Sequence, residues 1–217
     1  MSDLGIEVAG ESLLLLPERA VLWERRSTLL AADLHLGKAA AFRAASLPLP
    51  GGTTSEALAR LSAALERTGA RRLLVLGDLL HARQGRAART LAAVAAWREG
   101  HAGLEVVLVR GNHDRGAGDP PAEWRFECVD EPLLEPPFAF RHHPGEEPGA
   151  YVLAGHLHPA VSLSGAGRQS ARLSCFLFQE RGGLLPAFGP FTGTAGVRPR
   201  AGDRVFVLAG DEVVPIV

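Results

Sequence analysis

Arg72-Leu73-Leu74-Val75-Leu76-Gly77-Asp78 decides how this chain is read. A short aliphatic run ends abruptly at Gly77-Asp78, as a strand does when it meets a turn. Helical patterns flank it. Upstream, Thr53 and Glu56 have the spacing of a capping box, Leu58, Leu61 and Leu65 share one face, and Gly69 closes the segment. Downstream, Ala87 to Glu99 turns Leu91, Val94 and Ala95 inward, and a second aliphatic run, Glu105 to Val109, stops at Gly111-Asn112. Strands alternating with helical spacers imply parallel strands joined by crossover helices.

Outward from this unit, Leu13 to Leu16, Ala20 to Trp23 and Thr28 to Ala32 read as short strands, and Pro48, Pro50, Gly51 and Gly52 as a loop. Beyond Glu99 the pattern changes. Phe126 to Val129, Pro137 to Arg141, Tyr151 to Ala154, Arg172 to Gln179, Arg204 to Leu208 and Glu212 to Ile216 read as strands, with turns such as Gly165-Ala166-Gly167 and Ala209-Gly210-Asp211. No long helix is expected there. The chain is therefore α/β, with α+β character in its second half: a second, mostly antiparallel sheet packed on the first. No shift in composition marks a boundary, so residues 1–217 are read as a single domain.

Composition narrows the function classes. Of 217 residues, 47% are apolar and 22% charged, enough to bury a core and too apolar for a disordered chain. Apolar runs such as Leu13 to Leu16 fall far short of the roughly 18 residues a membrane span needs. The opening residues show no basic and apolar leader, and two cysteines, Cys128 and Cys175, are too few for a disulfide framework. A cytoplasmic protein with reduced thiols and no membrane partner is expected. The 23 basic residues balance 24 acidic ones. A general nucleic-acid binder carries a large basic excess, so an anionic ligand must here be held locally.

The chemistry concentrates at strand ends. Asp33 and His35 follow Thr28 to Ala32; Asp78 follows Arg72 to Leu76; Asn112, His113 and Asp114 follow Glu105 to Val109. His142 and His143 follow Pro137 to Arg141, and His156 and His158 follow Tyr151 to Ala154. Loops at the carboxyl ends of parallel strands converge on one crevice. Carboxylates and imidazoles gathered there suit divalent ions that prefer oxygen and nitrogen, namely Mn2+, Fe2+ or Zn2+. Each short pair alone, Asp-x-His or Gly-Asp, is an ordinary polar turn. The donor count is high for one ion and fits two, with a carboxylate between them. His81 divides evenly between a rim role and a structural one, and His101 reads as a solvated loop residue.

Asp-x-His, Gly-Asp, Gly-Asn-His-Asp, a further His and Gly-His-x-His, in this order, resemble the calcineurin-like metallophosphoesterase superfamily. The resemblance implies a four-layer αββα sandwich of two mixed sheets flanked by helices, and a site for two divalent metal ions, with Mn2+ the first expectation. By the family's pattern Asp33, His35 and His158 would serve one ion, Asn112, His142 and His156 the other, and Asp78 would bridge them. His142 is preferred to its neighbour His143 as the first imidazole after the strand. The stretches 31–43, 77–83, 111–115 and 153–159 are similar to a bacterial subgroup, the ligase-associated DNA damage response endonuclease (PdeM) group. That likeness implies a DNA endonuclease or phosphodiesterase linked to DNA repair, and association with a repair helicase or ligase.

Under this resemblance His113 is the expected general acid, with Asp114 orienting it. Asn112, Lys38, Arg43, Arg83 and Arg115 would meet the phosphodiester substrate, and Arg86 and Arg89 either join this rim or are solvated helix residues. Two other functions fit the same residues: hydrolysis of nucleotide-sugar or nucleotide diphosphate linkages, and a non-catalytic interaction scaffold. An intact Asn112-His113 pair argues against the scaffold, which needs no imidazole beside a ligand.

Overall fold

The computed structural model describes residues 2–47, 51–165 and 169–216. Pro48 and Pro50 of the expected loop, and Ala166 and Gly167 of the expected turn, lie outside the described residues.

Seven strands form the first sheet in sequence order: β1 (Leu4–Val8), β2 (Glu11–Leu16), β3 (Ala20–Trp23), β4 (Thr28–Ala32), β5 (Arg72–Leu76), β6 (Glu105–Val109) and β7 (Glu127–Val129). The first three pairings are antiparallel. From β4 to β7 the strands run parallel. The connections from β4 to β5 and from β5 to β6 carry α1 (Lys38–Ala44), α2 (Thr53–Thr68) and α3 (Ala88–Gly100), as the alternation predicts. Gly69 ends α2 at φ 64°. The expected capping box does not form. Gly52 occupies the N-cap, and the Thr54 hydroxyl instead accepts from the Gly37 N–H at 3.1 Å, tying α2 to the loop after β4.

The second sheet is mixed. It contains β8 (Leu133–Glu135), β9 (Phe138–Arg141), β10 (Tyr151–Ala154), β11 (Pro159–Ser164), β12 (Ser170–Phe178), β13 (Gly182–Leu184), β14 (Ala195–Gly196), β15 (Arg204–Ala209) and β16 (Glu212–Pro215). β10 lies parallel to both β9 and β13, while β8, β12, β15 and β16 add antiparallel pairings. One short helix, α4 (Asn112–Ala117), was not expected. Its Gly116 and central Asp hide the helical pattern, and Gly111 with Asp114 caps it.

Two mixed sheets packed face to face thus make the sandwich expected, with the described helices flanking the first. Leu58, Leu61, Leu65, Val94 and Trp97 of the helices pack on Leu29, Leu73, Val75 and Leu108. Between the sheets, Trp23, Leu30, Leu74 and Val107 meet Phe138, Phe140, Leu153, Phe176 and Phe206. The outer face of the second sheet buries Val152, Ala154, Cys175, Leu177 and Val205 with help from Val197 and Val214, and no helix covers it among the described residues. Five phenylalanines of the second sheet, Phe138, Phe140, Phe176, Phe178 and Phe206, make the inter-sheet layer thick. Trp23 is fully buried in this layer, with Phe138 edge-on at 5.1 Å and its Nε1 donating to Glu11 at 2.7 Å.

Register positions the functional loops. Ala32 pairs Leu76, which pairs Val109, so β4, β5 and β6 end level. Ala154 pairs Arg141 in the second sheet. Residues 185–189 stitch the two sheets together at this end: the Leu185 N–H donates to Ala154, and those of Phe188 and Gly189 donate to Ala32 and Asp33, at 2.8 to 3.0 Å. Among the described residues no helix is long and apolar enough to cross a membrane. Replacing Trp23 by Ala removes the central ring of the inter-sheet core; urea denaturation should show a loss of about 3–5 kcal/mol.

Candidate metal centre

Asp33 follows β4 directly and is fully buried. Its Oδ2 accepts the His156 N–H at 2.8 Å. Its Oδ1 is buried without any hydrogen-bond partner, 3.4 Å from His158 Nε2 and 3.8 Å from His142 Nδ1. Asp78, at the end of β5, is equally buried and two-faced. Oδ1 lies 3.5 Å from His142 Nε2, and Oδ2 lies 3.8 Å from His35 Nε2. Asp78 therefore stands between one group made of Asp33, His35 and His158 and another made of His142, Asn112 and His156.

The imidazoles present lone pairs to this centre. His142 Nδ1 donates to the Leu76 carbonyl at 3.1 Å, which leaves Nε2 as an acceptor only. That nitrogen nevertheless lies 2.9 Å from Asn112 Oδ1 and 3.1 Å from His156 Nδ1. His158 Nδ1 likewise donates to the Gly193 carbonyl at 2.9 Å, turning Nε2 toward Asp33. An orphaned carboxylate oxygen among acceptor nitrogens is a donor set fitted to cations rather than to protons.

Electrostatics agree. Burial pushes Asp78 up to about 6, with the Asp33 charge adding to it. Burial lowers His35 to about 2 and also holds His142 and His156 below the usual imidazole range, so these rings are neutral. Burial pulls His158 down too, but the nearby Asp33 charge and the hydrogen bond to the Gly193 carbonyl outweigh it and raise the group. Two buried carboxylates among neutral rings leave negative charge that a divalent ion would neutralise.

The backbone is bent to make this set. Asp33, His35, Asp78, His156 and His158 all have φ between 47° and 69°. Such left-handed residues cost on the order of 1 kcal/mol each, and their concentration at one site marks it as functional. Two glycines make room. A Cβ on Gly111 would collide with Asp78 Oδ1, and one on Gly155 would lie 2.6 Å from Asp33 Oδ2.

Several residues fall otherwise than the sequence suggests. Asp114 does not touch the His113 ring. Its buried carboxylate accepts four backbone N–H groups, from Asp78, Leu79, Leu80 and Gly111, at 2.7 to 3.3 Å, clamping the β5 loop to the β6 loop. The His113 ring is oriented by His81: Nδ1 donates to the His81 carbonyl at 2.5 Å, and the two rings stack at 5.0 Å. His81 also reaches His35, Nδ1 to Nδ1 at 3.3 Å, so it belongs to the site, which its spacing from Asp78 only hinted at. Of the adjacent pair, His142 is buried at the centre; half-buried His143 bonds Glu131 at 2.7 Å through Nδ1, and its ring also lies beside His156, with ligand atoms of the three histidines within 4.8 Å of one another. Lys38 lines the crevice beside His35. Arg83 and Arg115 are exposed, and Arg43 lines a separate cavity near α1. Arg86 is no rim residue; it staples the carbonyls of Ala117, Gly118 and Asp119. His101 is half-buried against Trp97 rather than solvated.

No protein-family model matches the chain, and a search of curated proteins found no match. Among solved structures, nuclease MPE of Pseudomonas putida superposes with a TM-score of 0.88 at 44% identity, over 99% of this chain and 100% of that one. Yfce, a phosphoesterase from E. coli, matches at a TM-score of 0.41 and 17% identity over 85% of this chain and 88% of that one, too slight a likeness to bear on the chemistry. Sandwich and site together define a hydrolase of the phosphoesterase class. The chain belongs to the metallophosphoesterase family represented by the P. putida nuclease.

Replacing Asp114 by Ala leaves four buried N–H groups without their acceptor. The expected cost is about 2–4 kcal/mol in chemical denaturation, with weaker Mn2+ binding in calorimetry. Because Asp78 must lose its proton to bind a cation, Mn2+ affinity should fall about tenfold from pH 7.5 to pH 5.

Proposed function

We propose that this protein is a metal-dependent phosphodiesterase that cleaves DNA, serving repair. The reading is carried by the unprotonated Nε2 of His142 facing Asn112 Oδ1 beside the orphaned Asp33 Oδ1. Kinship with a nuclease at 44% identity supports the substrate class. So does Phe191, an exposed ring at the crevice that holds His35 and Lys38, where a nucleobase can stack.

Asp33, His35 and His158 would hold one divalent cation, Asn112, His142 and His156 a second, and Asp78 would face both. Bound there, such a pair supplies Lewis acidity toward the phosphate and a water of lowered pKa. The remaining work falls to the chain itself. His113 spends Nδ1–H on the His81 carbonyl, which directs Nε2 toward Asp78, 3.8 Å away. A proton held at Nε2 is placed for the departing alkoxide. His81 sets that orientation, and Asp114 keeps the two loops carrying Asp78 and His113 in contact. Lys38, Arg83 and Arg115 attract the phosphate, a local field in a chain of net charge −1.

The test is hydrolysis of bis(p-nitrophenyl) phosphate and of an oligonucleotide with added Mn2+. Both should proceed, and a chelator should stop both. Asp78→Ala should lose metal and turnover together; full metal loading and normal activity in that variant would remove its assignment. His113→Ala should keep its metal and lose about 10²–10⁴-fold on the oligonucleotide, whose alkoxide needs a proton.

A further inference from the structure

The group made of Asn112, His142 and His156 has no carboxylate of its own. It shares Asp78 with the other group, which holds Asp33 besides. A further imidazole stands beside it. His143 follows His142 on the loop after β9, and its ring centroid lies 4.7 Å from that of His142 and 4.5 Å from that of His156. Ligand atoms of these three histidines fall within 4.8 Å of one another. That is near the roughly 4.2 Å between two opposite nitrogens that each lie about 2.1 Å from one ion.

Glu131, in the turn between β7 and β8, grips this loop with both oxygens. Oε2 accepts the backbone N–H groups of His142 and His143, each at 2.9 Å. Oε1 accepts from His143 Nδ1 at 2.7 Å, and the glutamate side chain is only 11% exposed. The two backbone bonds already fix the course of the loop. The ring bond adds something else: a proton spent at Nδ1 leaves the lone pair of His143 on Nε2. Other rings of the centre are set in the same way, His142 by the Leu76 carbonyl and His158 by the Gly193 carbonyl. His143 differs in that its partner is an anion. A carboxylate behind an imidazole fixes its tautomer and makes the ring a more basic metal ligand.

We propose that His143 is a further ligand of the second cation, through Nε2, and that Glu131 is the positioning residue behind it. The pair gives that site a negative charge of its own, placed one hydrogen bond away from the ion. This rests on the reading of two cations given above, and its test is metal uptake rather than turnover.

The test is titration calorimetry of Mn2+ into the metal-free protein. The wild type should take up two ions. His143→Ala should weaken one of them about tenfold and leave the other as it was. Glu131→Gln keeps an oxygen for the two backbone N–H groups but turns its NH2 toward Nδ1, which drives the ring proton to Nε2 and removes the lone pair. It should weaken the same ion by a similar factor, and it decides the matter if His143→Ala fails to fold. Because Glu131 acts through His143, the two changes together should weaken that ion no further than His143→Ala alone. A lower thermal midpoint with both affinities kept would make the pair a structural latch and overturn the proposal, as would an equal loss at the two ions. Uptake of fewer than two ions by the wild type would strike the two-cation reading itself, and this proposal with it.

Discussion

Two carboxylates buried side by side, Asp33 and Asp78, govern the rest of this structure. Neither is paired with a lysine or arginine among the described residues; both face imidazoles, and burial lowers those of His35, His142 and His156. Such an arrangement is unfavourable for the empty fold and becomes favourable when divalent cations enter. The neutral rings, the raised Asp78 and the partnerless Asp33 oxygen express one condition: the site is built for charge that arrives with the ions.

That condition explains the surrounding backbone. Five of the site's residues hold left-handed conformations, and glycines stand wherever a methyl group would enter the space of a carboxylate or imidazole. The structure keeps these bends because neighbouring bonds leave little alternative. Asp114 collects four N–H groups from two loops, and residues 185–189 lock the two sheets at the same end. Rigidity is concentrated where catalytic groups need positions held within a fraction of an ångström.

Helix α1 gives the centre its neighbourhood. One side carries Lys38 toward His35, and the other borders the cavity between the first turns of α2 and α3. Lys38 sets a positive charge beside the crevice although the chain's total charge is nearly balanced.

Much of this was legible in the sequence. The runs ending at Ala32, Leu76, Val109 and Ala154 show their strands by apolar content alone, and the polar residues just after them show the site, because strand ends in an α/β sheet share one edge. Helix α4 escaped notice because its glycine and Asp belong to a turn as readily as to a helix. The same limit applied to pairing: adjacency on the chain suggested that Asp114 orients His113. In the folded protein a helical turn directs Asp114 back to the β5 loop, and the His81 carbonyl, 32 residues away, takes its place. Residue type and periodicity thus determined which groups gather. Which group touches which was settled only by tertiary packing, since those contacts join segments whose order along the chain carries no information about distance.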